Sequence, residues 1–427
     1  MRKEFSGKKL LILGGITLSC DIVKIAKQMG AYVAVLDYYE NSPAKSLADE
    51  GVLIDATDVD AIVDYCLANN IDGVTTGFVD ILMPVCYEVC RRLNLPYYAT
   101  KKMIQMATNK KEFKTICQKH HLLVPKTFFV GSYLNEKTLG IIHYPVFVKP
   151  LDASGSRGAG VCNNREELID RFAEAVEYSD TNQAIIEEYI VGREFLLNYF
   201  GQNGEFRLLS MFDRYMCDDR GSAVNYSNMS VAPSKAINYY LSHVNDKVIN
   251  MFRQMNFDGG LIFLQGHYNG ENIIFYEMGC RLGGSYYYLE EDCVGLNAVE
   301  MIVRYALTGE MVRNISTVPY DIAVFKKTAV SVNYLLKGDD EIIYKICGLD
   351  LMKSLNSYVT SIRHRNVGDH YSKDKTIDKP VVNVFLTNSN KENLTNDIVA
   401  LNESFKVINK EGKSLLMEKI DPNGLLY

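Results

Sequence analysis

Short apolar runs alternate with helical stretches along the first hundred residues of the chain. Residues 22, 25, 26 and 29 form one apolar stripe at helical spacing, while the runs around them show the compact apolar pattern of buried strands. The pattern predicts strands at 8–15, 31–37, 51–57 and 72–77, and helices at 21–29, 60–68 and 81–93. Such alternation is typical of a parallel sheet covered by helices, so we expect an α/β domain here.

The rest of the chain mixes helices with β-rich runs. We expect helices at 108–124, 165–176, 237–255 and 391–405, with strand-like runs between them. This mixture predicts α+β architecture in the middle of the chain and a small β-rich part at its end. The sequence has no internal repeat and no low-complexity linker, so we expect the parts to pack as one unit.

Charge and hydropathy narrow the class of protein. The chain has 427 residues, and its 46 Lys and Arg against 52 Asp and Glu give a net charge of −6. Phosphate neutralisation needs a basic face, which this chain lacks, so nucleic acid is excluded as the main partner. No apolar run approaches about 18 residues, and the N-terminus has no signal-peptide pattern. We therefore expect a cytoplasmic protein with no membrane partner.

The ten cysteines and seven histidines do not form a metal-binding pattern. There is no CxxC, HxxxH or HxH spacing, and the cysteines are scattered among apolar residues. They are expected to be reduced core residues rather than disulfides or zinc ligands.

A glycine pair at the end of the first strand imitates a dinucleotide-binding turn. Gly14 and Gly15 precede a helix, and Asp37 ends the second strand. The third glycine of GxGxxG is missing, so pyrophosphate approach and close helix packing are not specified. A Rossmann-like domain for a small substrate, or for none, is favoured over an NAD site.

Two elements in the middle of the chain suit phosphate binding. Lys110 lies on a predicted helix, and Lys149 ends a strand at 146–150. The small-residue loop 152–160 follows Lys149 directly, and its glycines let backbone N–H groups converge on a phosphate. An ammonium beside such a loop suits the β- and γ-phosphates of a nucleotide.

Two further elements carry acids and an arginine. The run 185–195 contains Glu187, Glu188 and Glu194, and a predicted hairpin at 261–285 contains Glu277 and Arg281. Glu277 and Arg281 are four residues apart, which predicts that they share one face of a strand. Each element alone is a weak signal, but their order along one chain indicates a nucleotide site. No Walker A or kinase HRD and DFG motif accompanies them, so those two nucleotide folds are excluded.

This set of motifs resembles the ATP-grasp superfamily, within it the carboxylate–amine ligases that share the layout of biotin carboxylase and the carbamoyl-phosphate synthase large subunit. The resemblance covers nearly the whole chain. It implies a Rossmann-like pre-ATP-grasp domain at 1–104, an ATP-grasp fold of two α+β subdomains at 105–318 with a flexible lid at about 115–190, and a C-terminal β-rich domain at 319–427.

The resemblance also implies roles for individual residues. Lys110 and Lys149 would contact phosphates, and the loop with Ser154, Gly155 and Ser156 would close over them. Glu187 would face the adenine amino group, the backbone of Glu188 and Ile190 the adenine edge, and Glu194 the ribose. Glu277 and Gln265 would bind Mg²⁺ (or Mn²⁺), and Arg281, with Lys149, would stabilise charge in the transition state.

Two positions depart from the superfamily pattern. An acid usually stands where this chain has Gln265, and the Asn of the ExNxR strand is Gly279 here. Metal affinity is therefore expected to fall unless Glu271 or Asp258 compensates. These departures weaken the case for catalysis more than the case for ATP binding.

The implied activity is an ADP-forming ligation of a carboxylate to an amine or similar nucleophile through an acyl phosphate. Substrate choice is expected to come from strand ends at 14–19 and 76–80 and from the segment 213–230, where Arg214 or Arg220 would hold a carboxylate or simply face solvent. Two alternatives stay open: an ATP-binding protein with weakened or lost turnover, and a carbamoyl-phosphate or biotin-carboxylase type of enzyme. The expected partners are small molecules, with a homodimer as the default assembly.

Overall fold

The computed structural model describes residues 4–152, 158–217, 226–337, 340–371 and 379–425. Its N-terminal part is a parallel sheet in the order β3-β2-β1-β4. Alternate residues of β1 enter two different apolar clusters, Leu10 and Ile12 on one face and Leu11 and Leu13 on the other. Both faces of the sheet are therefore buried, as parallel sheets require. Its elements are β1 (Lys9–Leu13), α1 (Ser19–Met29), β2 (Tyr32–Leu36), β3 (Glu50–Val52), α2 (Val59–Asn69), β4 (Gly73–Thr75) and α3 (Met83–Leu93).

A second unit has a four-stranded antiparallel sheet in the order β5-β8-β6-β7. Helix α7 packs on β6, and an apolar cluster that includes Val148, Phe172 and Ile186 fills the space between them. Two helices connect this unit to the N-terminal part. The elements are α4 (Lys101–Thr108), α5 (Lys110–Lys119), β5 (Thr127–Gly131), α6 (Glu136–Leu139), β6 (Val146–Pro150), β7 (Gly160–Cys162), α7 (Arg165–Glu177) and β8 (Ala184–Glu188).

The largest sheet has eight strands in the order β13-β12-β9-β10-β11-β14-β19-β17. Its first part comprises β9 (Arg193–Gln202), β10 (Glu205–Cys217), β11 (Tyr226–Ala232), α8 (Ile237–His243), α9 (Asn245–Gln254), β12 (Gly260–Tyr268), β13 (Ile273–Gly279), α10 (Tyr287–Val294) and α11 (Ala298–Thr308). The C-terminal part supplies β14 (Thr328–Leu335), β15 (Glu341–Ile342), β16 (Lys345–Cys347), α12 (Leu349–Ser354), β17 (Tyr358–Arg363), β18 (His370–Tyr371), β19 (Pro380–Asn388), α13 (Lys391–Ser404) and β20 (Lys406–Ile408).

The C-terminal part is β-rich, as predicted, but its longer strands do not form a sheet of their own. β14 pairs with β11 and β19, so hydrogen bonds continue across the boundary predicted at residue 319. The domain limits therefore stay a prediction, and the two parts share one continuous sheet.

Two local predictions differ from the structure. The helix predicted at 237–255 is two helices, because Val244 leaves helical geometry between α8 and α9. The helix predicted at 108–124 spans only Lys110–Lys119, where Asn109 caps its start and His121 has a positive φ of 56° after its end. No helix in the described ranges is long and apolar enough to cross a membrane.

Candidate nucleotide and active site

A buried carboxylate with two lysines lies where β6 and β8 run side by side. Glu187 Oε1 is 2.6 Å from Lys114 Nζ, and Glu187 Oε2 is 2.9 Å from Lys149 Nζ. The Glu187 side chain is only 2% exposed. Burial raises the pKa of Glu187, but the charges of Lys149 and Lys114 outweigh it and hold that pKa below its usual value. The predicted adenine-facing acid therefore has both oxygens bound to lysines.

Helix α5 places two lysines on one face because Lys110 and Lys114 are four residues apart. The Asn109 side chain accepts from the N–H groups of Lys111 and Glu112, which fixes the start of the helix next to Lys110. Burial lowers the pKa of Lys110, while the charges of Glu277 and Glu187 act to raise it and that of Lys149 to lower it. Lys110 therefore lies within electrostatic range of Glu277, Lys149 and Glu187.

The phosphate loop is described only at its ends. Ser154, Gly155 and Ser156 lie outside the described residues. Before the gap, Asp152 accepts hydrogen bonds from Ser179 Oγ at 2.7 Å and from Thr181 N at 3.0 Å. The start of the loop is therefore anchored to the turn that precedes β8.

The predicted adenine and ribose residues lie along the end of β8 and the start of β9. Glu188 is exposed, and its N–H donates to the Lys126 carbonyl at 2.8 Å. Ile190 is half-buried in the connection between the strands. Glu194 forms an ion pair with Arg214 and a hydrogen bond with Tyr276.

The predicted metal residues are cross-strand neighbours in the hairpin. Gln265 on β12 lies opposite Glu277 on β13. With the Gln265 amide oriented to suit both neighbours, its oxygen accepts from Arg214 Nη1 at 3.0 Å and its nitrogen donates to Glu277 Oε2 at 3.3 Å. In this orientation the amide oxygen points to Arg214, and the role of Gln265 as a metal ligand stays a prediction.

Glu277 alone suits one magnesium ion that is held otherwise by nucleotide phosphates and water. Across the described ranges, no group of three or more His, Cys, Asp and Glu side chains could hold a metal ion. Glu271 and Asp258 are both exposed, away from the Gln265–Glu277 pair. The residues present therefore fit a nucleotide-bound ion rather than a metal site built by the protein alone.

Phe263 explains why position 279 is a glycine. Gly279 lies opposite Phe263 in the hairpin, and a Cβ at Gly279 would meet Phe263 Cε1 at 2.0 Å and Cζ at 2.2 Å. The aromatic ring thus fills the space that a side chain at 279 would need.

We therefore expect Gly279→Asn to destabilise the protein by about 1–3 kcal/mol, because the asparagine side chain would overpack the core beside Phe263 instead of supplying a metal ligand. Urea unfolding of the purified variant measures the change. In a Phe263→Ala background, Gly279→Asn should lower the free energy of unfolding by less than it does in the wild type. Equal losses in both backgrounds would show that the ring is not the obstacle.

Arg281 lies two residues after β13 ends, so the prediction that it shares a strand face with Glu277 is wrong. Its Nε and Nη2 donate to the two carboxylate oxygens of Asp80 at 2.7 and 2.9 Å, and its Nη1 donates to the Leu282 carbonyl. This bidentate pair connects the hairpin to the strand ends of the N-terminal sheet. Arg281 thus contacts the 76–80 segment, one of the two strand ends that the sequence predicts to contact substrate.

The segment 213–230 is described except for 218–225. It lines a cavity of about 480 Å³ together with Arg193, Lys235 and the C-terminal residues 417–419, 421 and 423–424. Arg214 belongs instead to the Glu194–Gln265 neighbourhood, and Arg220 lies outside the described residues.

A second buried acid, Glu290, contacts two strands of the large sheet. Glu290 of α10 accepts hydrogen bonds from Ser210 Oγ and from Asn198 Nδ2 at 3.0 Å. Burial raises the pKa of Glu290 to about 7, although both hydrogen bonds act to lower it. The unfolded chain ionises near pH 4.5, so the native state loses stability as the pH rises from 4.5 to about 7.

Glu290→Gln should remove that loss, since a neutral amide oxygen can accept both hydrogen bonds. We expect the variant to gain on the order of 3 kcal/mol over the wild type between pH 4.5 and pH 8. Thermal unfolding at both pH values measures this gain. A difference between the two proteins that stays constant with pH would contradict it.

Two residues of this site were missed from the sequence. Lys114 was detectable, since it follows Lys110 by one helical turn. Asp80 fell within a range expected to contact substrate, but no local signal paired it with Arg281, which lies 201 positions away.

Comparison with known proteins gives a family match for the middle of the chain and relatives for about half of it. Residues 142–287 match a family model described as an ATP-grasp domain. A formate-dependent phosphoribosylglycinamide formyltransferase of Prochlorococcus marinus subsp. pastoris is 26% identical over 193 residues, which cover 44% of this chain and 49% of that protein. The chain spans about half the length of the curated relatives that match it first.

Two solved structures share the fold along nearly the whole chain. The L-amino acid ligase from Bacillus licheniformis has a TM-score of 0.77 at 17% identity and covers 95% of this chain and 99% of its own. The biotin carboxylase domain of Hydrogenobacter thermophilus 2-oxoglutarate carboxylase, a dimer in complex with MgADP, ADP and bicarbonate, has a TM-score of 0.75 at 16% identity and covers 95% and 91%.

The fold and the family match define the class: this is a protein with an ATP-grasp domain. The superfamily resemblance and the fold class predicted from the sequence are thereby confirmed.

Proposed function

We propose that this chain is an ATP-dependent, ADP-forming ligase that joins a carboxylate to an amine or similar nucleophile. The observation that carries the proposal is the site in which Lys110, Lys149 and Glu187 lie together with Glu277. Buried ammonium groups suit phosphate oxygens, and Glu277 suits the ion that accompanies them. The names of a formate-dependent relative and of an L-amino acid ligase support a carboxylate as the activated substrate.

In the proposed reaction, a carboxylate oxygen attacks the γ-phosphorus of ATP, and the bond to the β-phosphate oxygen breaks to give an acyl phosphate and ADP. The nucleophile then attacks the acyl carbon, loses a proton and displaces phosphate. Phosphoryl transfer needs positioning and charge neutralisation rather than covalent help from the protein. Lys149 and Lys110 would hold the phosphates, and Arg281, beside Asp80, would hold the acyl phosphate.

A nucleotide-binding protein without turnover is the second candidate. Gln265 in place of an acid and Phe263 in the space beside Gly279 favour it, because they leave Glu277 as the single acidic ligand of the hairpin pair. A bicarbonate-dependent enzyme of the biotin-carboxylase or carbamoyl-phosphate type is the third. A homodimer stays a prediction for this chain.

The test is ADP release with Mg²⁺ or Mn²⁺ across pooled amino acids, small carboxylic acids including formate, and bicarbonate. Substrate-dependent ADP from the wild type, lost in Glu277→Ala and retained in the matched control Glu271→Ala, would support the ligase. Glu271 is the exposed acid of the turn in the same hairpin. Nucleotide binding with no ADP from any pool would favour the second candidate, and ADP release with bicarbonate alone would favour the third.

A further inference from the structure

A row of four polar side chains crosses one face of the large sheet. Arg214 on β10 lies opposite Glu194 on β9, and Gln265 on β12 lies opposite Glu277 on β13. Arg214 forms an ion pair with Glu194 and donates to the Gln265 oxygen, while the Gln265 nitrogen donates to Glu277. The row therefore consists, in order, of an acid, a cation, an amide and a second acid. Each member is held by a neighbouring strand, so its position is fixed by the sheet.

Arg214 brings a permanent positive charge next to the place where Glu277 would bind an ion. Its side chain is 20% exposed, and the charges of Glu194 and Glu277 both favour the guanidinium form. Its Nε is buried and finds no hydrogen-bond acceptor among the described residues. A buried donor without an acceptor is costly, and a phosphate oxygen would satisfy it.

The same arrangement disfavours a second divalent ion. In the amide orientation that satisfies both neighbours, the Gln265 oxygen, which is the neutral ligand of the row, accepts from Arg214. An ion between Gln265 and Glu277 would also be repelled by the guanidinium, which cannot lose its proton. Glu194, the other acid of the row, is already paired with Arg214, and no group of three or more His, Cys, Asp and Glu side chains among the described residues could hold a second ion.

We propose that Arg214 takes the place of a second divalent ion, so that this site loads its nucleotide with one ion, held by Glu277. The inference rests on the proposed nucleotide site and adds its ion stoichiometry and a phosphate-binding residue. Arg214 supplies through a fixed guanidinium the charge that a second metal would otherwise supply. Gln265 adds no charge between Arg214 and Glu277, whereas an acid at this position would compete with the phosphates for Arg214.

The test counts Mn²⁺ bound per chain in the presence of a saturating non-hydrolysable ATP analogue, by electron paramagnetic resonance after equilibrium dialysis. We expect one ion for the wild type and one for Gln265→Glu, where the new acid pairs with Arg214. We expect two ions for Gln265→Glu combined with Arg214→Met, which supplies a ligand and removes the repelling charge. Arg193→Met is the matched control and should keep one ion, since Arg193 packs over the Tyr215 ring instead.

Arg214→Met alone should weaken binding of the ATP analogue by about 10- to 100-fold, the usual effect of losing a charged hydrogen bond. Two ions in the wild type, or one in a folded double variant, would overturn the inference while leaving the nucleotide site intact. Absence of any analogue binding by the wild type would overturn both the inference and the proposed function. The numbers of Mn²⁺ ions bound by the wild type and by Gln265→Glu test the inference even if the double variant does not fold.

Discussion

Replacing Glu187 with leucine should lower the free energy of unfolding by about 3–5 kcal/mol, among the largest effects of any single substitution in this chain. Glu187 contacts the ammonium groups of both Lys114 and Lys149 at a site where its own side chain is 2% exposed. Without the carboxylate, two cations stay buried with no counter-charge between them. Burial already lowers the pKa of Lys114, and the Glu187 charge is what opposes that change.

The measurement is urea unfolding at neutral pH, with Glu188→Leu as the matched control. Glu188 is the next residue on the same strand and is exposed, so its replacement should change the free energy by no more than about 0.5 kcal/mol. The pKa of Glu187 is held below its usual 4.5, so its contribution is present above pH 4.5 and is lost as the pH falls below that value. Equal stabilities for the two leucine variants would show that the lysines find other partners.

The sequence predicts the local elements of this fold better than their assembly. In 1–100, the runs at 8–15, 51–57 and 72–77 each end at a glycine or polar turn and are followed by residues at helical spacing, so the alternation alone indicates a parallel sheet. Pairing between β11 and β14 joins residues about a hundred positions apart, and no short pattern specifies such a partner. The sequence therefore predicts a separate C-terminal domain, although in the structure β14, β19 and β17 extend the large sheet.

The candidate site shows the same division between local and long-range information. Lys149, Glu187 and Glu277 were predicted from motifs whose spacing lies within single elements, and the structure places them with Lys110. The contacts that modify the site come from distant strands. Arg214 reaches Gln265, and the Phe263 ring fills the space beside Gly279, through cross-strand neighbours that spacing along the chain does not reveal.

These long-range contacts also change how the two departures from the superfamily pattern are understood. Both Gln265 and Gly279 are matched by neighbours, Arg214 in one case and Phe263 in the other. The Arg214 contact changes the charge distribution around Glu277, while the Phe263 ring closes the space that a side chain at 279 would need.

Replacing Arg281 with methionine should lower kcat for the proposed ligation by about 10²- to 10³-fold, the usual effect of removing one donor that stabilises transition-state charge. The Arg281 side chain is 23% exposed and that of Asp80 is 31% exposed, so solvent partly reaches the pair. Ion pairs that solvent reaches usually contribute no more than about 1 kcal/mol to stability. The loss of activity should therefore greatly exceed any loss of folded protein.

Steady-state kinetics with the substrate found by ADP release measure the effect. A group that acts only in the transition state lowers kcat and kcat/KM equally, so the KM for ATP should stay unchanged. Arg281→Lys should fall between the wild type and Arg281→Met, because an ammonium keeps the charge but not the bidentate geometry. Arg92→Met is the matched control, since Arg92 is an ion-paired arginine on the outer surface of α3. Asp80→Asn frees the guanidinium and should retain more activity than Arg281→Met; if it loses as much, Arg281 serves to join the two parts of the chain rather than to hold the reacting group.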